Sequence, residues 1–377
     1  MKRNLCITIV SSMFFFSVIS FAQYDTLNYD DIDRTYLLHV PSSYNGLAAV
    51  PLVVALHPFG SNGSGFESTT GFSVKADSNN FIVVYPNGSG SPVSWNGGNC
   101  CGSAMTNDID DVGFISALID TLSANYNIDS SRIFATGFSN GSIMAYRLAA
   151  ELSDKIAAIA AASGQMMLDE CEPIRAVPIM HLHALDDGAV PYEGGSASGY
   201  VFPSVESVID IWVEINNCET EPDTIVNSGA LMVKRWAALS SNADIVLYTT
   251  PSGGHSWLTS IPAADSIWNF FDTHPMDPST GIDDGDPDAV EDFILKQNYP
   301  NPFSATTTIR FSTPEPEKVV LKVFDLLGKE VAVLLDEEVR AGEHAVTFSS
   351  EKLPNGVYFF RIEAGTFVDA KKLVLLR

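Results

Sequence analysis

The chain has 377 residues, 46% of them apolar, which is enough for one large packed domain and a small one and too apolar for a disordered chain. It carries 21 basic against 46 acidic residues, a net charge of −25. A surface of that sign repels phosphate backbones, which excludes nucleic acid as a partner.

At the start, Lys2 and Arg3 precede the apolar run CITIVSSMFFFSVI, and Ser20 and Ala22 offer small residues for cleavage before Gln23. The run is too short to span a bilayer. Residues 1–22 are therefore expected to be a signal peptide, leaving an exported chain with no permanent membrane span. Without Lys2 and Arg3 the net charge is −27, of which −26 falls on residues 23–296.

Residues 23–274 alternate strand and helix signals. RTYLLHVP, VPLVVALH, FIVVYP, RIFATG, IAAIAAASG, VPIMHLHA and ADIVLYTT read as strands. DVGFISALIDTLSANY and SIMAYRLAAEL read as helices between them. Continuous apolar runs interleaved with helices predict an α/β domain, a mostly parallel sheet covered on both faces.

Within that domain, Gly137-Phe138-Ser139-Asn140-Gly141 ends one strand and opens one helix. The pentapeptide alone is a weak signal, but strand before and helix after is the setting of a nucleophile elbow. Flanking glycines suit so tight a turn, and the helix N-terminus favours developing negative charge at Ser139. In such enzymes an acid and then a histidine follow in the chain. Asp186 and Asp187 come after VPIMHLHA, and His255 after ADIVLYTT, both at strand ends where this kind of sheet collects its site.

His57, His181 and His183 are rival histidines. His181 and His183 share one strand face, but no third ligand stands at a suitable spacing, so no metal is expected and no cofactor is required. Trp95, Trp257, Phe59 and Tyr192 are candidates for an aromatic substrate wall, with ordinary packing as the competing reading, favoured for Trp95. Beyond Cys6 the cysteines are Cys100, Cys101, Cys171 and Cys218. Adjacent cysteines rarely bond each other, so Cys100 and Cys101 are expected to pair with Cys171 and Cys218, in either order.

Residues 275–296 are rich in Pro, Gly and Asp and read as an acidic linker. The short β-branched runs TTTIRFST, KVVLKVFD, HAVTFSS, GVYFFRIEA and KKLVLLR then predict an antiparallel, immunoglobulin-like sandwich over residues 297–377.

Two resemblances follow from these motifs. The pieces RTYLLHVP, LHPFG, VSWNGGNCCG, DIDDVGFISALID, RIFATGFSNGSIMAYRLA, VPYEGG and SGGHSW resemble the secreted esterases that include feruloyl esterases, acetylxylan esterases and poly(3-hydroxybutyrate) depolymerase-like enzymes of the α/β-hydrolase fold. The family pattern H-G-x-x-D-x-x-V-P-Y lands on Asp187 as the acid beside Ser139 and His255, with His183 in the histidine position. It also implies an oxyanion hole made by the N–H of Asn140 and one from the loop after the third strand. Proline has no N–H, so Pro58 is barred; Phe59 is the expected donor, with Gly60 next. The pieces NYPNPF, VFDLLGKEV, LPNGVYFFRI and KKLVLLR resemble C-terminal sorting domains of the type IX (Por) secretion system. That implies passage through this machinery by way of residues 297–377, to the cell surface or the medium.

The expected function is a secreted serine ester hydrolase acting on feruloyl or acetyl esters of xylan, with Ser139, Asp187 and His255 catalytic. The alternatives are a polyester depolymerase, a peptidase on the same fold, or a catalytically silent surface binding protein.

Overall fold

The computed structural model describes residues 24–257, 261–276 and most of 293–375. The expected signal peptide, and all of the expected linker between 277 and 292, lie outside the described residues. The chain divides into two compact units, Met1–Thr280 and Gly281–Arg377.

The first unit opens with the hairpin β1 (Tyr24–Tyr29) and β2 (Ile32–His39), then β3 (Val50–Leu56). Helices α1 (Gly63–Thr70) and α2 (Phe72–Asn79) lead to β4 (Ile82–Pro86). The short α3 (Gly102–Thr106) and the long α4 (Asp111–Asn125) precede β5 (Ile128–Phe138) and α5 (Asn140–Glu151). Next come β6 (Ala158–Ala162), β7 (Ile179–Ala184), the small hairpin β8 (Gly195–Ala197) and β9 (Tyr200–Phe202), and α6 (Val205–Ile215). The unit closes with β10 (Asp223–Asn227), β11 (Met232–Trp236), β12 (Ile245–Thr250) and α7 (Ala263–Thr273).

Ten of these strands form one sheet in the order β1-β2-β4-β3-β5-β6-β7-β12-β11-β10. The six from β4 to β12 run parallel, and antiparallel strands flank them on both sides. Residues of β3, β4, β6 and β7 are buried throughout, which is why they read as unbroken apolar runs. Successive strand residues point to opposite faces. Leu52, Val54 and Leu56 accordingly pack with α4, α5 and α6, while Val53 and Ala55 pack with α1, α2 and α7.

Helix starts follow local chemistry. Asp110 caps α4 by accepting from Gly113 N–H, and Ser204 caps α6 by accepting from Ser207 N–H. The α/β class is as the sequence predicts. The hairpin β8–β9 and the edge pair β10–β11 were not among the expected elements: the first is only three residues per strand, and β10 is exposed along its whole length.

The cysteine expectation is corrected. Cys100 and Cys101 are bonded to each other, across a cis peptide, and Cys171 and Cys218 are free. Two apolar clusters divide them: Cys100 and Cys101 pack with Ile143, Met167, Val190 and Phe202, whereas Cys171 and Cys218 belong to the core beneath α4, α5 and α6.

The second unit is a two-layer antiparallel sandwich. One sheet holds β13 (Ile294–Leu295), β14 (Thr306–Thr313) and β17 (Gly342–Ser349). The other holds β16 (Glu330–Val339), β15 (Glu317–Asp325), β18 (Gly356–Ala364) and β19 (Phe367–Leu375). Ile309, Phe311 and Phe348 from the first meet Val319, Leu321, Phe360 and Ile362 from the second. Strand β16 was not predicted, because it lies at a sheet edge with a largely exposed, acidic second half.

Candidate active site

Ser139 sits between β5 and α5 with φ 56° and ψ −119°, a conformation that costs a non-glycine residue about 1–3 kcal/mol. The glycines around it make the corner fit. A Cβ on Gly137 would collide with the backbone of Gly141, one on Gly141 with the carbonyls of Leu56 and His57, and one on Gly164 with the Ser139 carbonyl. Ser139 N–H donates to Ala162 O at 2.9 Å, which anchors the corner to β6.

Asp187 lies in the turn after β7, its side chain withdrawn from solvent. Its Oδ1 accepts from the N–H groups of Ala189 and Val190, both at 2.9 Å. Its Oδ2 accepts from His255 Nδ1 at 2.8 Å. Burial pushes the Asp187 carboxyl up, but the His255 and main-chain hydrogen bonds outweigh it and the net displacement is downward. The carboxylate therefore holds the imidazole with its proton on Nδ1, and Nε2 faces Ser139 Oγ at 2.8 Å, ready to accept. Three residues from three different loops thus form one hydrogen-bonded chain.

The neighbouring Asp186 does something else. It is exposed, and its Oδ1 accepts from Gly254 N–H at 2.8 Å, pinning the loop that presents His255. Phe138, the variable residue before the serine, lays its ring 4.9 Å from that of His255. Neither role shows in sequence spacing.

Of the expected oxyanion donors, Asn140 is the first residue of α5, whose leading N–H groups have no partner within the helix. Phe59 N–H makes no hydrogen bond to the described residues, whereas Gly60 N–H is taken by Val93 O at 2.8 Å. That leaves Phe59 as the available donor of the two. Its side chain is 45% exposed.

The expected aromatic wall needs correction. Trp95 is fully buried, and Tyr192 is nearly so, with its hydroxyl donating to Glu206 and its ring in a T-shaped contact with that of His183. Burial removes both from a substrate surface, and Trp257, 5% exposed, is no more accessible than Tyr192. Trp257 packs edge-on against Phe66, Phe72 and Phe138 and also lines a cavity of about 410 Å³ with Val74, Lys75 and Ile261.

The rival histidines are all buried and neutral. His57 receives the Gly88 N–H on Nε2 and donates from Nδ1 to Pro58 O. Tyr146 O–H, His181, His183 and Val190 O form a continuous chain, with His183 Nε2 donating to the carbonyl at 2.8 Å. Burial drives the His57 pKa down to about 4 and lowers those of His181 and His183 as well.

Depressed histidines stabilise the fold fully above their unfolded value of about 6.5, and that stability is lost as pH falls toward the folded value. For His57 alone the window runs from about 6.5 down to about 4 and the loss is about 3 kcal/mol. The midpoint of thermal unfolding is therefore expected to drop clearly between pH 7 and pH 4.5. A midpoint that stays level over that range would contradict the buried neutral state. Below this window Asp187 adds to the loss, while Asp111, raised by burial, opposes the loss at pH values above its ordinary value of 3.8.

Residues 45–209 match the family described as phospholipase/carboxylesterase, and residues 297–376 match the secretion system C-terminal sorting domain. The first unit has the α/β-hydrolase fold and is similar to that family over residues 45–209, and the second carries the sorting domain. The sorting domain marks the chain for secretion and the cell surface.

Among curated relatives, the hydrolase unit is similar to "Feruloyl esterase B" of Piromyces equi, 28% identical over 235 residues. That match covers 59% of this chain and 42% of the relative. It is also similar to "Bifunctional acetylxylan esterase/xylanase XynS20E" of Neocallimastix patriciarum, 26% identical, covering 65% of this chain and 36% of the relative. The chain thus spans less than half the length of either. Among solved structures, "Acetyl xylan esterase from Aspergillus awamori" superposes with a TM-score of 0.51 at 15% identity, over 67% of this chain and 99% of that one, a likeness of fold. Among the described residues no helix of the α/β-hydrolase unit or the sorting domain is long and apolar enough to cross a membrane.

Proposed function

We propose that the chain is a serine carboxylic ester hydrolase that works through an acyl-enzyme on feruloyl or acetyl esters of plant cell-wall polysaccharide. The observation that carries this reading is the chain of hydrogen bonds from Asp187 through His255 to Ser139, at a strained corner that opens a helix. The names of the two relatives support the substrate class.

The steps follow from the geometry. Ser139 Oγ attacks the ester carbonyl carbon and its proton passes to His255 Nε2. The Asp187 carboxylate, facing Nδ1, stabilises the imidazolium that results. The N–H groups of Asn140 and Phe59 receive the oxyanion, a contribution on the order of a hundred- to a thousandfold in rate per donor. Collapse breaks the bond to the alcohol, which leaves with the proton from His255. A water, deprotonated by the same nitrogen, then attacks the acyl-enzyme and frees the acid and Ser139. These steps use no cofactor. The exposed Phe59 supplies apolar surface for the acyl or sugar part, and residues 297–377 serve export through the type IX machinery.

The test is a substrate panel on the purified full chain: methyl ferulate, an acetylated xylan fragment and a hydroxybutyrate oligomer, with acid release followed for each. Hydrolysis of one or both of the first two is expected. Hydrolysis of the oligomer alone would move the substrate class to polyesters, and no hydrolysis by a folded chain would overturn the reading.

A further inference from the structure

We propose that Trp95 is a positioning residue that sets both oxyanion donors at once, rather than a substrate contact or simple filling. The proposal rests on the reading of Ser139 as the nucleophile.

All three polar groups of Trp95 are committed, and two of them reach a residue that carries or adjoins a donor. Its N–H donates to Asn140 Oδ1 at 2.7 Å, and its carbonyl accepts from Asn140 Nδ2 at 3.0 Å. The Asn140 side chain is thereby clamped from both ends, in a site 1% exposed. The indole Nε1–H donates to His57 O at 3.0 Å. His57 lies two residues before Phe59, and Val93 O holds Gly60 N–H just after it. The Phe59 peptide is thus bracketed, from one side by the indole of Trp95 and from the other by the main chain just before Trp95, through Val93 O.

Trp95 is itself held fast. Asn96 N–H donates to Asp111 Oδ2 at 2.7 Å, and Arg34 bonds the other oxygen of that carboxylate at 2.6 Å. Arg147 donates to Asn96 O at 2.8 Å. Arg34 and Asp111 are buried, so the pair is a fixed anchor rather than a solvated one. Oxyanion donors act over about 2.7–3.1 Å, so a shift of a few tenths of an ångström weakens them without deleting them. A residue that fixes both donors should therefore act on kcat and leave substrate binding alone.

Two variants test this, each compared at equal concentrations of sites titrated with a phosphonate ester. Trp95→Phe keeps an aromatic ring in the buried site but removes the pyrrole part of the indole with its N–H. Asn140→Ala keeps the main-chain N–H and removes the clamp. Each is expected to lower kcat roughly ten- to a hundredfold, short of the loss from deleting a donor outright, with KM changed by less than about twofold. The inhibition constant of phenylboronic acid, whose adduct on Ser139 places an oxygen in the same hole, should rise by a similar factor.

A kcat that stays at the wild-type value in both variants overturns the proposal. So does a rise in KM with kcat kept, the mark of a substrate wall, or a fall in kcat with boronate binding unmoved. Ser139→Ala separates the two layers: if it remains active, the site reading itself fails, and if it is inactive while both variants match wild type, only the role of Trp95 fails.

Discussion

Ser139→Ala is expected to lower kcat on any accepted ester by roughly a millionfold while leaving the fold intact. The hydroxyl is the only atom removed, and its one hydrogen-bond partner among the described residues is His255 Nε2. The strained φ of 56° stays, because alanine has the same Cβ, so the unfolding midpoint should move little. Without Oγ no acyl-enzyme forms, and the residual rate is what oriented water achieves between His255 and the two N–H groups. Peptide mass spectrometry after brief reaction with an activated acetyl ester and a rapid acid quench provides the companion measurement. Wild type should show an acetyl adduct on the peptide that contains Ser139, and the variant should show none. A variant that keeps most of its activity would remove Ser139 from the chemistry.

Asp187→Asn is the second large effect, with an expected loss of kcat of about ten-thousandfold. The reason lies in what surrounds each carboxylate oxygen. Oδ1 accepts from two main-chain N–H groups, a place an amide NH₂ cannot take, so the NH₂ must occupy the position of Oδ2. There it faces His255 Nδ1 with a donor and drives the imidazole proton to Nε2, the nitrogen that has to accept from Ser139. Asp186→Asn makes the matching control. The amide oxygen still accepts from Gly254 N–H, so the loop holds and activity should fall by no more than about tenfold. Measuring kcat/KM for the pair decides between the two acids: equal losses, or the larger loss at Asp186, would reverse the assignment.

The disagreements between pattern and structure have a common origin. Tyr192 reads as a site aromatic because it flanks a site motif, yet its side chain turns inward and its hydroxyl donates to Glu206. Trp95, for which packing is the favoured reading of the sequence, is buried with its indole N–H on His57 O. Cys100 and Cys101 read as two ends of long-range bridges, but the loop that carries them packs against Ile143 and Val190, away from the cluster holding Cys171 and Cys218. Strands β10 and β16 were missed because exposed edge strands carry no buried face to impose a period.

By itself the sequence determined the fold class, the two kinds of domain and the short list of reactive residues. Those depend on periodicity and local turn chemistry: apolar runs long enough to be central strands, and a serine held between glycines at a strand-to-helix corner. Tertiary structure alone decided which groups meet. Ser139 and His255 are 116 residues apart, and Asp187 and His255 are 68 apart. They converge because β5, β7 and β12 run parallel in one sheet, so the loops after all three emerge at the same edge. Which of two adjacent aspartates faces inward there, and which aromatic rings turn toward the core, follows from packing across that sheet, a property no local stretch of sequence contains.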